Sequence, residues 1–454
     1  MIDLPKGWIK CNLNDVVRLI NGDRGKNYPS KDKLSADSVS GLPFVSALNL
    51  SNGRIKKEGL LFLTERQYEL LGSGKFQRND IIFCLRGSLG KNAVSQIERG
   101  AIASSLVILR PYATEPLLRY IELYINSPLL FSEIKRYDNG TAQPNLSASN
   151  LAAFHFPLPP LAEQHCIVGK IESLFSKLDK GVETLQTIRQ QLRTYRQAVL
   201  KWAFEGNVAG TVFSQAKVGD FIDKPKYGTS KKCSPNIGGT CVLRIPNINY
   251  SAGTIDYTDI KFADFEDAEK STLTLQENDI LVIRSNGSVS LVGRAALIRG
   301  LDEKCLFAGY LIRLRVINQS LTAKYLLHYL SSPSARIYIE SVAKSTSGVN
   351  NINAKEIESI PLPICSLDEQ AAIVVAIESR LSVCDNLESI IDENLCKAAA
   401  LKQSILKKAF AGMLVPQDPN DEPAERLLER ITAARTVPTA QKKPVGKRKE
   451  KTDG

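Results

Sequence analysis

Two stretches of this chain carry the same long hydrophobic rhythm. Apolar side chains fall at Ile167, Ile171, Leu174, Leu178, Val182, Leu185, Ile188, Leu192, Tyr195 and Val199, in the steps of three and four that mark one helix face. The rhythm returns at Ile373, Ile377, Leu381, Cys384, Leu387, Ile391, Leu395, Ala398, Leu401 and Ile405. No proline interrupts either run, and Gly206 and Gly412 stand where helix caps are expected. Each run predicts one helix of about 40 residues, roughly 60 Å long. A stripe that long needs a second helix to cover it, and the two runs supply each other. The expected pairing sets Ile167, Ile171, Leu174, Leu178, Leu185 and Leu192 against Ile373, Ile377, Leu381, Leu387, Ile391 and Leu395.

The remaining chain has a different pattern. Short apolar runs at 8–13, 16–20, 42–50, 60–63, 80–86 and 105–110 are separated by Gly, Asn and Ser, which suits the strands of a mixed sheet. Residues 117–125 and 128–135 have helical spacing. A second region repeats these features loosely: Lys217-Val218-Gly219-Asp220-Phe221-Ile222 echoes Asn12 to Val17, and Asn278-Asp279-Ile280-Leu281 echoes Asn79-Asp80-Ile81-Ile82. The long runs repeat strictly, with a constant offset of 206 positions from Gln164 to Gln370 and from Gly206 to Gly412. A tandem duplication explains both levels of likeness. The expected fold class is α+β (mixed α/β), with two variable domains at 1–158 and 207–364, long helices at 159–206 and 365–412, and a C-terminal tail at 413–454. Within that tail 423–434 is amphipathic, and the basic end beyond about 435 is expected to be disordered.

Composition narrows the class. A formal net charge of +11 and a pI near 9.1 favour a polyanionic partner. The nine cysteines are scattered without a Cys-x-x-Cys, so reduced thiols and a cytoplasmic location are expected. With only His155, His165 and His328 there is no metal-ligand spacing. Gly87-Ser88-Leu89-Gly90-Lys91-Asn92 lacks both the earlier glycine and the following Ser or Thr of a phosphate loop. No nucleophile elbow or dinucleotide fingerprint appears. The chain reads as one that binds rather than reacts.

Both long helices begin from a proline-rich junction. The first is Pro157-Leu158-Pro159-Pro160-Leu161-Ala162-Glu163-Gln164; the second runs from Pro361 through Ile364-Cys365-Ser366 to Glu369-Gln370. These junctions, the closing Ala-Phe-x-Gly of each helix and the duplicated variable halves resemble the specificity subunit of type I restriction-modification enzymes, from Leu4 to about Gly412. The resemblance implies two target recognition domains, each reading one half of a bipartite asymmetric DNA target. It implies that the helices pair antiparallel, with pseudo-two-fold symmetry, as a ruler for the spacer. It further implies two methyltransferase (M) and two restriction (R) subunits as partners. S-adenosylmethionine, ATP and Mg2+ would be held there, with no cofactor, metal or catalytic residue in this chain. Base edges are read by Arg, Lys, Asn, Gln and Ser on loops. The candidates in the first domain are Arg24, Lys26, Asn27, Arg86, Lys91, Asn139, Thr141, Gln143 and Asn145. In the second they are Lys226, Tyr227, Lys231, Lys232, Arg284, Asn286, Lys344, Ser345, Asn350 and Asn351. The alternatives are a coiled-coil adaptor, distinguished by its lack of salt-dependent DNA affinity, and a fused methyltransferase-nuclease, distinguished by methylation without partners.

Overall fold

The computed structural model describes residues 4–36, 41–113, 116–137, 145–208, 210–235, 238–300, 304–346 and 348–436. Asn139, Thr141, Gln143 and the chain end expected to be disordered lie outside the described residues. The chain forms two compact units, Met1–Glu183 with Leu395–Gly454, and Thr184–Asn394.

In the first unit the strand Ile81–Cys84 is buried along its whole length. Its alternation divides it between two cores. Ile81 and Phe83 join Val107 and Leu109 on one face, while Ile82 and Cys84 join Leu106 and Ile108 on the other. This strand sits third in an antiparallel sheet ordered Val17–Asn21, Leu106–Pro111, Ile81–Cys84, Asn92–Val94. A second sheet contains one parallel pair, Leu42–Val45 beside Arg99–Ile102. The entry strand Ile9–Asn12 pairs antiparallel with His155–Leu158, the strand that leads into the first long helix.

The second unit repeats this plan. Ile280–Ile283 is buried throughout and lies between Leu311–Leu314 and Ala295–Leu297. Ser214–Lys217 pairs with Pro361–Ile364 as the entry and exit strands. Local details repeat as well. Asn79 and Asn278 both take positive φ, 67° and 68°. Each precedes a buried aspartate held by a two-bonded arginine, Arg110 on Asp80 at 2.8 and 2.7 Å and Arg315 on Asp279 at 2.7 and 2.7 Å.

The long helices run Leu161–Phe204 and Leu367–Phe410, 44 residues each, or about 66 Å. The start of one helix and the end of the other pack on each variable domain. In the first unit Ile167 and Ile171 share a core with Ile405 and Phe410; in the second, Ile373 and Ile377 share one with Leu200 and Phe204. Phe410 meets the rings of Tyr120 and Tyr124 at 5.1 and 5.7 Å, and Phe204 meets Tyr325 and Tyr329 at 5.2 Å each. Those tyrosine hydroxyls donate to exit-strand carbonyls: Tyr120 to Pro157, Tyr124 to His155, Tyr325 to Pro363 and Tyr329 to Pro361.

The helices pair antiparallel. In the second unit Arg189 pairs with Asp392 and Arg196 with Asp385, so positions rise on one helix as they fall on the other. The seam has a regular heptad spacing. It runs through Ile171, Phe175, Leu178, Val182, Leu185, Arg189, Leu192, Arg196 and Val199, and through Ile377, Leu381, Cys384, Glu388, Ile391, Leu395, Ala398, Lys402 and Ile405, none of them on the exposed face. Leu174 is half-buried beside it. This corrects part of the expected stripe: Leu387 lies on the exposed flank, as do Ile188, Tyr195 and Leu401, all between 37% and 49% exposed. The neighbouring Glu388, Arg189, Arg196 and Lys402 take the seam instead. Long charged side chains can lay their stems over apolar neighbours while their heads find ionic partners. Arg196 reaches Asp385 at 2.5 Å and Glu388 at 3.1 Å, and Lys402 pairs with Asp179 over the ring of Phe175.

The two junctions differ for a local reason. Ser366 caps its own helix, donating to Glu369 from its hydroxyl at 2.7 Å and its N–H at 2.9 Å. Pro160 holds the matching place in the first copy and can do neither. Glu163 is therefore free to accept the indole N–H of Trp8 at 2.7 Å and the amide of Gln417 at 3.2 Å. Burial pushes the Glu163 carboxyl above the ordinary range, opposed by those two hydrogen bonds.

One further expectation is corrected. Cys241 and Cys305 form a disulfide rather than remaining thiols. They stand directly opposite each other on parallel strands, with Cα atoms 4.6 Å apart, a proximity their sequence separation does not advertise. The amphipathic stretch at 423–434 lies in the helix Ala424–Thr436, whose Ala424, Leu427 and Ile431 enter the first unit's core.

Candidate nucleic-acid interface

In the first unit the candidate side chains are presented from one end of the buried sheet. The loop after Val17–Asn21 carries Arg24, Lys26 and Asn27, all exposed. It is shaped by Asp23, whose buried carboxylate accepts the N–H groups of Gly25 at 2.6 Å, Gly72 at 2.5 Å and Ser73 at 3.3 Å. The Gly25 amide, with Gly72 and Ser73 adding to it against burial, holds that carboxyl below the usual carboxylate range. Gly22 has no room for a side chain, since a Cβ would fall 2.3 Å from the Ala103 carbonyl oxygen.

Arg24 donates to the Ser104 carbonyl at 3.3 Å and Asn27 to the Leu70 carbonyl at 2.9 Å, so the scaffold holds both. Arg86 leaves the end of Ile81–Cys84 and donates from Nε to Asn145 Oδ1 at 3.1 Å. Arg24 and Arg86 line one cleft of about 390 Å³ together with Asn21, Ser73, Ser147 and Ser149. Lys91 is exposed in the turn joining two strands, where its carbonyl accepts the Cys84 N–H. The glycine-rich stretch around it is thus a strand connection.

The second unit gathers its candidates on a three-stranded ribbon of Ser285–Asn286, Val349–Asn351 and Lys344–Thr346. Asn286 and Ser345 stand opposite Asn350, and Lys344 stands opposite Asn351. Arg284 lies over the ring of Tyr227 at 4.8 Å and donates to the Gly309 carbonyl at 3.4 Å. The Tyr227 hydroxyl in turn accepts the Ala354 N–H at 3.0 Å. Lys226 faces Arg313 across two strands, while Lys232 is exposed. Lys231 does not join this group. Its ammonium is held by Glu269 at 2.6 Å and by the Asp264 carbonyl, over the ring of Phe265.

The arginines of the two units are not equivalent. Leu146 N–H donates to the Leu85 carbonyl just as Ile352 N–H donates to the Arg284 carbonyl, both at 3.0 Å. Arg284 therefore matches buried Leu85, and Arg86 matches Ser285. One step along a strand reverses the side chain, so the two copies present their guanidinium groups from opposite faces of equivalent strand ends. Tyr310, absent from the candidates, is an aromatic left 63% exposed beside Arg284. Its one signal was a large ring directly after a glycine turn.

Among the described residues no group of His, Cys, Asp or Glu could hold a metal ion, and no helix is long and apolar enough to cross a membrane.

Residues 5–194 and 212–395 each match the model of the type I restriction modification DNA specificity domain. The chain belongs to this family. The type I restriction enzyme EcoKI specificity subunit of Escherichia coli strain K12 is 29% identical over 97% of this chain and 98% of its own length. The StySPI specificity subunit of Salmonella potsdam is 27% identical over the same shares. A chain from the solved structure described as "Structural basis underlying complex assembly and conformational transition of the type I R-M system" has a TM-score of 0.66 at 18% identity, covering 91% of this chain and 100% of that one. The specificity-domain match falls twice, each time on one recognition domain and much of the helix that follows it.

Proposed function

We propose that this chain is the non-catalytic DNA-reading subunit of a type I restriction-modification enzyme, with each recognition domain reading a different half of one bipartite target. The observation that carries this is the register difference: one scaffold, used twice, presents Arg86 with Asn145 in one copy and Arg284 over Tyr227 in the other. A symmetric dimer of one reader could serve only a symmetric target, whereas a diverged duplication serves an asymmetric one. The paired helices set the spacer. Methyltransferase subunits dock on the exposed apolar flank that carries Ile188, Tyr195, Leu387 and Ile390, and restriction subunits complete the assembly in the cytoplasm. S-adenosylmethionine, ATP and Mg2+ are held by those partners.

The test uses the complex reconstituted with methyltransferase subunits and duplexes altered in one half-site at a time. Arg86→Ala and Arg284→Ala are each expected to lose about 1–3 kcal/mol of discrimination at one half only. Equal loss at both halves from either substitution would sink the assignment.

A further inference from the structure

The two units are copies, yet among the described residues only the first has its entry face covered by a helix. In the first unit the helix Ala424–Thr436 lies across the start of the recognition domain. Its Ala424 N–H donates to the Gly7 carbonyl at 3.0 Å. Leu427 and Ile431 are buried beneath it. At its far end Arg435 lies over the ring of Tyr112 at 4.8 Å and reaches Asp15 at 3.7 Å.

Each contact point on the domain has a counterpart in the second unit, fixed by hydrogen bonds rather than by sequence likeness. Tyr112 N–H donates to the Val16 carbonyl at 3.0 Å, and Ile317 N–H donates to the Phe221 carbonyl at 3.0 Å. Asp15 accepts the Asn12 N–H and Asp220 accepts the Lys217 N–H, both at 2.9 Å. Ile9 and Ser214 open the paired entry strands, so Gly7 corresponds to Val212.

These counterparts lie open. Val212 is 85% exposed and Ile317 is 65% exposed, the two ends of the equivalent footprint, and the Asp220 carboxylate between them is exposed as well. Isolated aliphatic residues on a surface are ordinary. Two of them at both ends of a footprint that the duplicate fills with an amphipathic helix are not. Residues 437–454 contain neither Leu nor Ile, so they do not repeat the Leu427 and Ile431 pattern.

We propose that the face of the second unit marked by Val212, Asp220 and Ile317 is a docking site for an amphipathic helix of a partner subunit. That helix carries aliphatic residues four apart and a basic residue one turn beyond, as Leu427, Ile431 and Arg435 do. The C-terminal helix then has a second effect: by filling the duplicate site it restricts this contact to one recognition domain, so identical partners are received differently by the two halves. The proposal rests on the chain acting as the subunit of a multisubunit enzyme.

The test compares hydrogen exchange in the free full-length chain with that in the complete complex of specificity, methyltransferase and restriction subunits. Segments 212–222 and 316–318 are expected to slow on assembly, and Ile317→Asp and Val212→Asp are each expected to weaken assembly by roughly thirty-fold. If the complex forms and cleaves its target while both segments exchange as fast as in the free chain, the docking site is refuted and the subunit assignment stands. If the wild-type chain forms no such complex, the assignment itself fails.

Discussion

Phe410→Ala is the substitution whose consequence follows most directly from the duplicated architecture. Phe410 is fully buried and closes the core where the second long helix meets the first recognition domain. Removing a buried phenylalanine ring costs about 3–5 kcal/mol, and its ring contacts, tilted with Tyr120 and edge-on with Tyr124, put it toward the upper end. For a unit of about 240 residues that lowers the melting temperature by roughly 6–20 °C. Phe204→Ala should do the same to the other unit, somewhat less severely because Phe204 keeps a little exposure. Calorimetry would show one transition shifted, and hydrogen exchange would place the loss. Phe410→Ala is expected to free the amides of 117–125 and 155–158 while leaving 323–331 protected, with Phe204→Ala giving the reverse. Equal loosening of both regions by either substitution would refute the description of two separately built cores.

Two other outcomes follow from the buried carboxylates. Glu163 has its folded-state pKa raised by burial, so protonation favours the fold. Its contribution is most favourable below the ordinary glutamate pKa and is lost as pH rises through the folded-state value. Glu163→Gln should remove that fall, which thermal melts of wild type and variant across acidic pH would show; parallel curves would count against it. Asp23 is shifted the other way, mainly by the Gly25 amide. Its stabilisation is present above the ordinary aspartate pKa and lost as pH falls through the lower folded value. Asp23→Asn should loosen the loop of Arg24, Lys26 and Asn27, raising exchange at Gly25 and Gly72 and weakening binding at one half-site only.

The duplication and the junctions were readable because the same residues must make the same contacts twice, as Gln164 and Gln370 do on the carbonyls of Pro159 and Cys365. The seam was readable only in part. Ile188 beside Arg189 and Leu387 beside Glu388 allow two neighbouring stripes, and hydrophobicity selects the wrong one at both places. Ion pairs between distant positions decide it, and nothing in local periodicity reports them. The disulfide and the docking of Leu427 and Ile431 likewise depend on what the fold brings near. In the candidate interface, residue type pointed to Arg86 and Arg284, while the one-step difference in strand register emerged only from backbone hydrogen bonds. Lys231 shows the converse, a basic residue in a polar loop whose charge is spent on Glu269.

The most direct test maps methylated bases in the chromosome of cells carrying either the wild-type chain or one lacking a facing heptad from each long helix, residues 184–190 and 391–397. Seven residues shorten a helix by about 10.5 Å, close to three base pairs at 3.4 Å each. The expected map keeps both half-sites unchanged and brings them about three base pairs closer together. Altered bases within the half-sites, or the original spacing retained, would contradict the account of two readers whose paired helices set the spacer.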